Sequence, residues 1–202
     1  MRQLKLITAA LLLGLSASSN AAVLGGCVTG GSIFDATSCK FKHLDTGFKN
    51  SNNGNGVGKN DFNRGFLYAF DEKQNVFSNE YKSIVSSHYV FFDPKKTKTV
   101  KGWVQFDGDI IDVTWGRKGL KNTEVFFGLD SVNYKYNRAV GLEQRDRMGT
   151  FYSANTLFIE DWKASSPGDH IRVIIQTVPE PGALGLLVLG LVGLGFSRRK
   201  VK

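Results

Sequence analysis

With 202 residues, 26 of them basic and 18 acidic, the chain carries a net charge of +8. Setting aside Arg2 and Lys5 at one end, and Glu180, Arg198, Arg199, Lys200 and Lys202 at the other, leaves 20 basic and 17 acidic residues over 22–178. Nucleic-acid binding needs a concentrated positive surface, so the near-balanced middle of the chain argues against a nucleic-acid partner.

The N-terminus reads as a secretory signal. Arg2 and Lys5 precede an apolar core from Leu6 to Leu15, followed by Ser16-Ala17-Ser18-Ser19-Asn20-Ala21. That order of charged, apolar and small-residue regions predicts a signal helix over 1–21, cut by signal peptidase between Ala21 and Ala22. Leu24-Gly25-Gly26-Cys27 competes as a lipoprotein box, in which Cys27 is lipid-modified. Against it, Cys27 lies twelve residues beyond Leu15. Cys27 and Cys39 are the only cysteines, and export permits a disulfide between them. In the chain-entropy picture such a small loop contributes about 3 kcal/mol.

Residues 50–60 are rich in asparagine and glycine and predict a mobile loop that buries nothing. Strands follow. Phe66-Leu67-Tyr68-Ala69-Phe70 and Tyr89-Val90-Phe91-Phe92 are continuous apolar runs suited to buried central strands. Ile111, Val113 and Trp115 alternate with Asp112 and Thr114, which points to a half-buried strand. Val132, Tyr134 and Tyr136 alternate with Asn133 and Lys135, and Ile171, Val173 and Ile175 with Arg172 and Gln176. Leu157-Phe158-Ile159 is a further short strand. Asp93-Pro94, Asp107-Gly108-Asp109, Trp115-Gly116 and Pro167-Gly168-Asp169 mark the turns. Short helices are predicted over Leu120–Leu129 and for one turn near Gly141–Arg147. The pattern is that of an all-β protein, a single β-sandwich of jelly-roll-like type over 22–177.

No segment carries a recognisable catalytic motif. Gly-x-Ser-x-Gly, His-Glu-x-x-His and a lysine-ended phosphate loop are all absent. The three histidines, His43, His88 and His170, are far apart in sequence. Glycoside hydrolysis would draw a carboxylate pair from Asp71, Glu72, Asp107, Asp109, Glu143, Asp146 and Asp161, although solvated or turn-capping acids are the commoner use. No cofactor is expected; calcium is the one metal with candidates, Asp107 and Asp109, which share a strand face. Lys95-Lys96-Thr97-Lys98 and Lys101 form a basic cluster that reads as a solvated turn able to touch acidic polysaccharide. Trp162, between Asp161 and Lys163, is the candidate sugar-contacting ring, against the usual core placement of tryptophan.

The C-terminus is the most specific part. Val178-Pro179-Glu180-Pro181 leads into an uncharged span, Ala183–Phe196, and then Arg198-Arg199-Lys200. The prolines keep the joint extended, and the basic end stays on the cytoplasmic side. Fourteen helical residues reach roughly 21 Å, short of a bilayer core of about 30 Å. Four of the fourteen are glycine, so the predicted transmembrane helix is a short and weak anchor. These residues closely resemble the PEP-CTERM sorting signal. That resemblance implies a Gram-negative, biofilm-forming source and processing at Pro179, Glu180 and Pro181 by exosortase, a membrane protease-transpeptidase. Leu67–Asn75, Ser87–Pro94, Phe106–Ile110, Gly141–Glu143 and Ser166–Val173 also resemble a secreted domain found in front of such signals, a resemblance that implies no particular activity.

Three segments result: a signal peptide (1–21), a secreted domain (22–177) and a sorting and anchor segment (178–202). The expectation is a non-enzymatic protein, exported by the general secretory route and anchored transiently at the inner membrane with its domain in the periplasm. From there it passes to the cell surface or exopolysaccharide matrix in a structural, adhesive or polysaccharide-contacting role. The alternative is a secreted hydrolase acting on polysaccharide or protein.

Overall fold

The structure, a computed structural model, describes residues 21–58 and 60–177. The expected signal helix, the C-terminal transmembrane helix and Pro179, Glu180 and Pro181 lie outside the described residues. Among the described residues no helix is long and apolar enough to cross a membrane.

The domain is mostly β. A four-stranded sheet runs in the order β1 (Val23–Gly30), β7 (Lys98–Phe106), β11 (Thr156–Ala164), β10 (Thr150–Ser153). A six-stranded sheet runs β2 (Phe41–Leu44), β4 (Leu67–Asp71), β6 (Ser83–Phe92), β12 (Asp169–Gln176), β8 (Ile110–Thr114), with β5 (Val76–Ser78) also on β6. All pairs within these sheets are antiparallel except β2–β4. A third, two-stranded sheet pairs β3 (Gly56–Val57) with β9 (Asn133–Tyr134) in parallel.

Alternation decides what each face holds. Val90, Phe92, Ile171, Val173 and Ile175 from the larger sheet meet Val100, Val104, Leu157, Ile159 and Trp162 from the smaller one in a shared core. Their alternate neighbours Tyr68, Phe70, Tyr89 and Phe91 point the other way and are equally buried. That outer face is sealed by Phe48, Val57, Phe62, Leu120, Val132, Tyr134 and Val140 from the surrounding segments. Aromatic pairs bind the layer: Tyr68 stacks on Phe91 at 5.0 Å and Phe62 tilts over Tyr68 at 4.7 Å. The central strands β6 and β12 are therefore covered on both faces, which is why Tyr89–Phe92 in β6 reads as a continuous apolar run.

Helix α1 (Arg117–Phe127) is the predicted short helix, starting three residues earlier. It buries only Leu120 and Phe127, seven residues apart on one face. Gly128 N–H closes its end on the Glu124 carbonyl at 2.7 Å. Helix α2 (Gln144–Met148) is the predicted single turn near 141–147. Before β12, Gly168 has φ +88°, and a Cβ there would sit 2.7 Å from the Phe92 carbonyl oxygen, so only glycine fits.

Three expectations are corrected. First, residues 50–60 do bury groups. The Asn50 side chain accepts from the N–H of Asn52 and Gly54, both at 2.9 Å, and donates to the Gly56 carbonyl at 3.1 Å. Asp93 then holds the returning chain through the N–H of Asp61 (2.8 Å) and Phe62 (3.0 Å). Hydrogen bonds to two buried polar side chains order a segment that hydrophobic burial alone could not. Second, β8 breaks its alternation. A register shift opposite Ile174 and Ile175 puts Ile110 and Val113 in the inner core, while Ile111 packs outward against Val85, Phe127 and Ile174. Third, Arg172, which alternates with the apolar Ile171 and Val173, is itself wholly buried.

Candidate functional site

A polar network lies at the centre of the outer layer. Arg172, from the middle of β12, grips Glu72 bidentately, Nε to Oε2 at 2.6 Å and Nη2 to Oε1 at 2.7 Å. Glu72 also accepts from Ser87 Oγ (2.6 Å) and the Tyr134 hydroxyl (2.7 Å). Arg172 Nη1 donates to the Leu120 carbonyl at 2.9 Å and to Thr123 Oγ1 in α1. Its guanidinium stands 5.6 Å from the Tyr89 ring and 5.7 Å from that of Tyr134. Burial works against the arginine's charge, but the Glu72 carboxylate outweighs it and holds its pKa above the usual value. Both side chains are fully enclosed. The pair therefore ties α1 and the 129–136 segment to the sheet rather than meeting a ligand.

The structure brings two of the three histidines together. Asp71, at the end of β4, accepts from His88 Nδ1 at 2.7 Å and from His43 Nε2 at 3.2 Å. It also accepts from the Val23 N–H at 3.0 Å. Burial alone would raise the Asp71 carboxyl, but the bonds from His43 and His88 prevail and hold it below the usual carboxylate range. The same bond raises the pKa of His43. His88 is fully buried, and its Nε2 has no hydrogen-bond partner among the described residues. His170 stands apart, stacked on Phe91 at 5.4 Å, and burial lowers its pKa to about 4.

The other candidate acids are dispersed. Asp161 pairs with Arg145, and Asp146 accepts from the Lys163 N–H at 3.2 Å. Asp169, which the sequence reading treated as a turn residue, is 5% exposed, with its Oδ2 unpartnered among the described residues. Burial, then the nearby Asp146 and Glu143, raises its pKa to about 8. Asp107 and Asp109 are exposed at the β7–β8 turn, and among the described residues no group of three acidic, histidine or cysteine side chains is placed to hold a metal.

Trp162 is corrected as a sugar platform: it is 0% exposed, and its Nε1–H donates to Thr150 Oγ1 at 2.7 Å inside the sandwich core. A register shift between Ile159 and Trp162 turns the ring inward, although charged neighbours flank it in sequence. Cys27 and Cys39 form a disulfide across Cα atoms 4.4 Å apart. Ala21, next to the expected cleavage point, is buried at the edge of the inner core.

The surface feature that sequence reasoning missed is a basic groove of about 130 Å³ beside the edge strand β2. Lys42, Lys49 and Arg64 are exposed around it, with Leu44, Phe62 and Tyr68 at its floor. None of the three cations has an ion-pair partner among the described residues. Lys42 and Lys40 reach over the Phe66 ring at 4.5 and 5.6 Å. Lys98, from the predicted basic turn, extends its Nζ to within 3.3 Å of where a side chain on Gly65 would begin. Burial raises the Tyr68 hydroxyl to about 12, so it stays a neutral donor.

The described residues form a disulfide-closed domain of two main β-sheets. Residues 177–200 match the PEP-CTERM protein-sorting motif. By that signal the chain is an exosortase substrate, exported and held by a membrane-anchored sorting segment of the kind found in Gram-negative bacteria. No curated protein and no solved structure matches the chain.

Proposed function

We propose that the processed domain is a non-enzymatic component of the cell surface or exopolysaccharide matrix that holds acidic polysaccharide in the Lys42–Lys49–Arg64 groove. The observation that carries this reading is three exposed cations, without ion-pair partners among the described residues, around a groove floored by Leu44, Phe62 and Tyr68. Carboxylates along a uronic-acid polymer would meet the cations. The scaffold is read as a jelly-roll-like sandwich, since the chain passes between the two main sheets at β1–β2, β6–β7, β7–β8 and β11–β12. The absence of a catalytic step is supported by the engagement of Asp71 and Glu72 with internal partners.

Binding to polygalacturonate, with neutral dextran as control, tests the reading. Replacing Lys42, Lys49 and Arg64 together by glutamine should weaken binding about tenfold, at about 0.5 kcal/mol for each exposed pair. Higher salt should weaken it further. Equal binding to dextran, or indifference to the triple substitution, overturns the assignment. Release of new reducing ends from the polymer would favour the hydrolase instead.

A further inference from the structure

Several of the large apolar side chains exposed on the domain belong to one corner, formed by β5, the start of β6 and the end of α1. Phe77 (63% exposed) and Phe126 (64%) line a groove of about 410 Å³ together with Val76 and Phe127. Ile84, itself exposed, is the cross-strand partner of Phe77. Val125, beside Phe126, is the most exposed of the set. An apolar corner of this kind marks an interaction surface.

The chain itself points to what covers it. Thr177 donates its N–H to the Ile84 carbonyl at 3.3 Å, and its hydroxyl meets Ser86 Oγ at 2.9 Å. Thr177, Ile84 and Phe77 thus occupy one row across β12, β6 and β5. At a strand spacing of about 4.8 Å, the Phe77 backbone is roughly 10 Å from the point where the sorting segment begins. The apolar span starts at Ala183, six residues further on, a reach of at most about 20 Å.

We propose that, while the sorting segment holds the chain in the inner membrane, the Phe77–Ile84–Phe126 corner rests in the lipid bilayer interface. The six-residue tether between Thr177 and Ala183 is short, and amphipathic protein surfaces bury aromatic and aliphatic side chains about 5–10 Å into the bilayer interface. Lys82 and Lys121 flank the corner and Glu80 lines it, so its charge is close to balanced and the attraction is apolar. Contact is therefore insensitive to salt, unlike the basic groove, with which it shares no residue. A few side chains are a weak anchor on their own, so removal of the sorting segment frees the domain.

The test uses the full chain reconstituted into phosphatidylcholine vesicles, with brominated phosphatidylcholine as a quenching lipid. Phe77→Trp adds an emitter at the corner to the background of Trp103, Trp115 and Trp162. Its added emission should fall by about half in the brominated vesicles, a depth-dependent contact signal, at both low and high salt. Adding Ile84→Ser and Phe126→Ser should abolish the quenching; near-UV circular dichroism confirms that these exposed positions leave the fold intact. Equal emission in both lipids, or quenching that persists without Ile84 and Phe126, overturns the proposal. So does protection of the emitter by cross-linking between two copies at the corner.

Discussion

Replacing Arg172 by leucine removes the cation from a network whose two charged side chains are fully enclosed. Glu72 loses a bidentate partner at 2.6 and 2.7 Å and keeps only Ser87 and Tyr134, and the Leu120 carbonyl and Thr123 lose a donor. Deleting one member of a buried ion pair typically costs about 3–5 kcal/mol. For a domain of this size that corresponds to a fall in Tm of roughly 6–20 °C. The Glu72→Leu single variant should be similarly unstable, since Arg172 would retain only the Leu120 carbonyl, Thr123 and two ring faces. The double variant Glu72→Leu/Arg172→Leu should be less damaged than the sum of the singles, because no buried charge is left uncompensated. Urea unfolding of residues 22–177, with the m-value checked for constancy, measures all four corners of the cycle. If the two losses add to within about 0.5 kcal/mol, Glu72 and Arg172 are not acting as a unit and the reasoning fails.

Asp169 gives a pH signature. Its folded pKa, near 8, lies above the unfolded value, so the folded domain binds the proton more tightly, and this group erodes stability as pH rises from about 4 to about 8. The loss is at most about 1.4 kcal/mol per pH unit. Asp169→Asn, which mimics the protonated acid, should match the parent near pH 4 and exceed it increasingly up to pH 8; parallel melting curves across that range would refute the assignment. Asp71 has the opposite sign: its lowered pKa stabilises the fold above the unfolded value, and that contribution is lost as pH falls further. Replacing Cys27 and Cys39 by serine should cost about 3 kcal/mol in chemical denaturation. The mass of the mature chain should show both thiols oxidised, whereas a diacylglyceryl group on Cys27 would rule the bridge out.

The sorting signal was legible because another enzyme reads it as a linear string. Order and composition from Val178 to Lys200 carry its meaning without any folding. The strands around Tyr89–Phe92 and Ile171–Ile175 were legible for a similar reason, since side-chain alternation is local. Arg172 was not, because alternation says which face a residue takes and not whether another layer covers that face. The covering layer comes from the Asn50-centred loop, α1 and the 129–140 segment, and the polar composition of the loop hides the buried role of Val57. Trp162 failed likewise: charged neighbours in sequence do not report a register shift that turns the ring inward. Lys42, Lys49 and Arg64 look unremarkable along the chain. They form a groove only because β2 pairs in parallel with β4 and Asp93 pulls the loop back beside it. The sorting signal of this protein was thus determined by its sequence alone, through short-range patterns. The groove proposed to hold polysaccharide was decided by the tertiary structure, which brings distant cations to one face and takes a tryptophan and an arginine out of solvent.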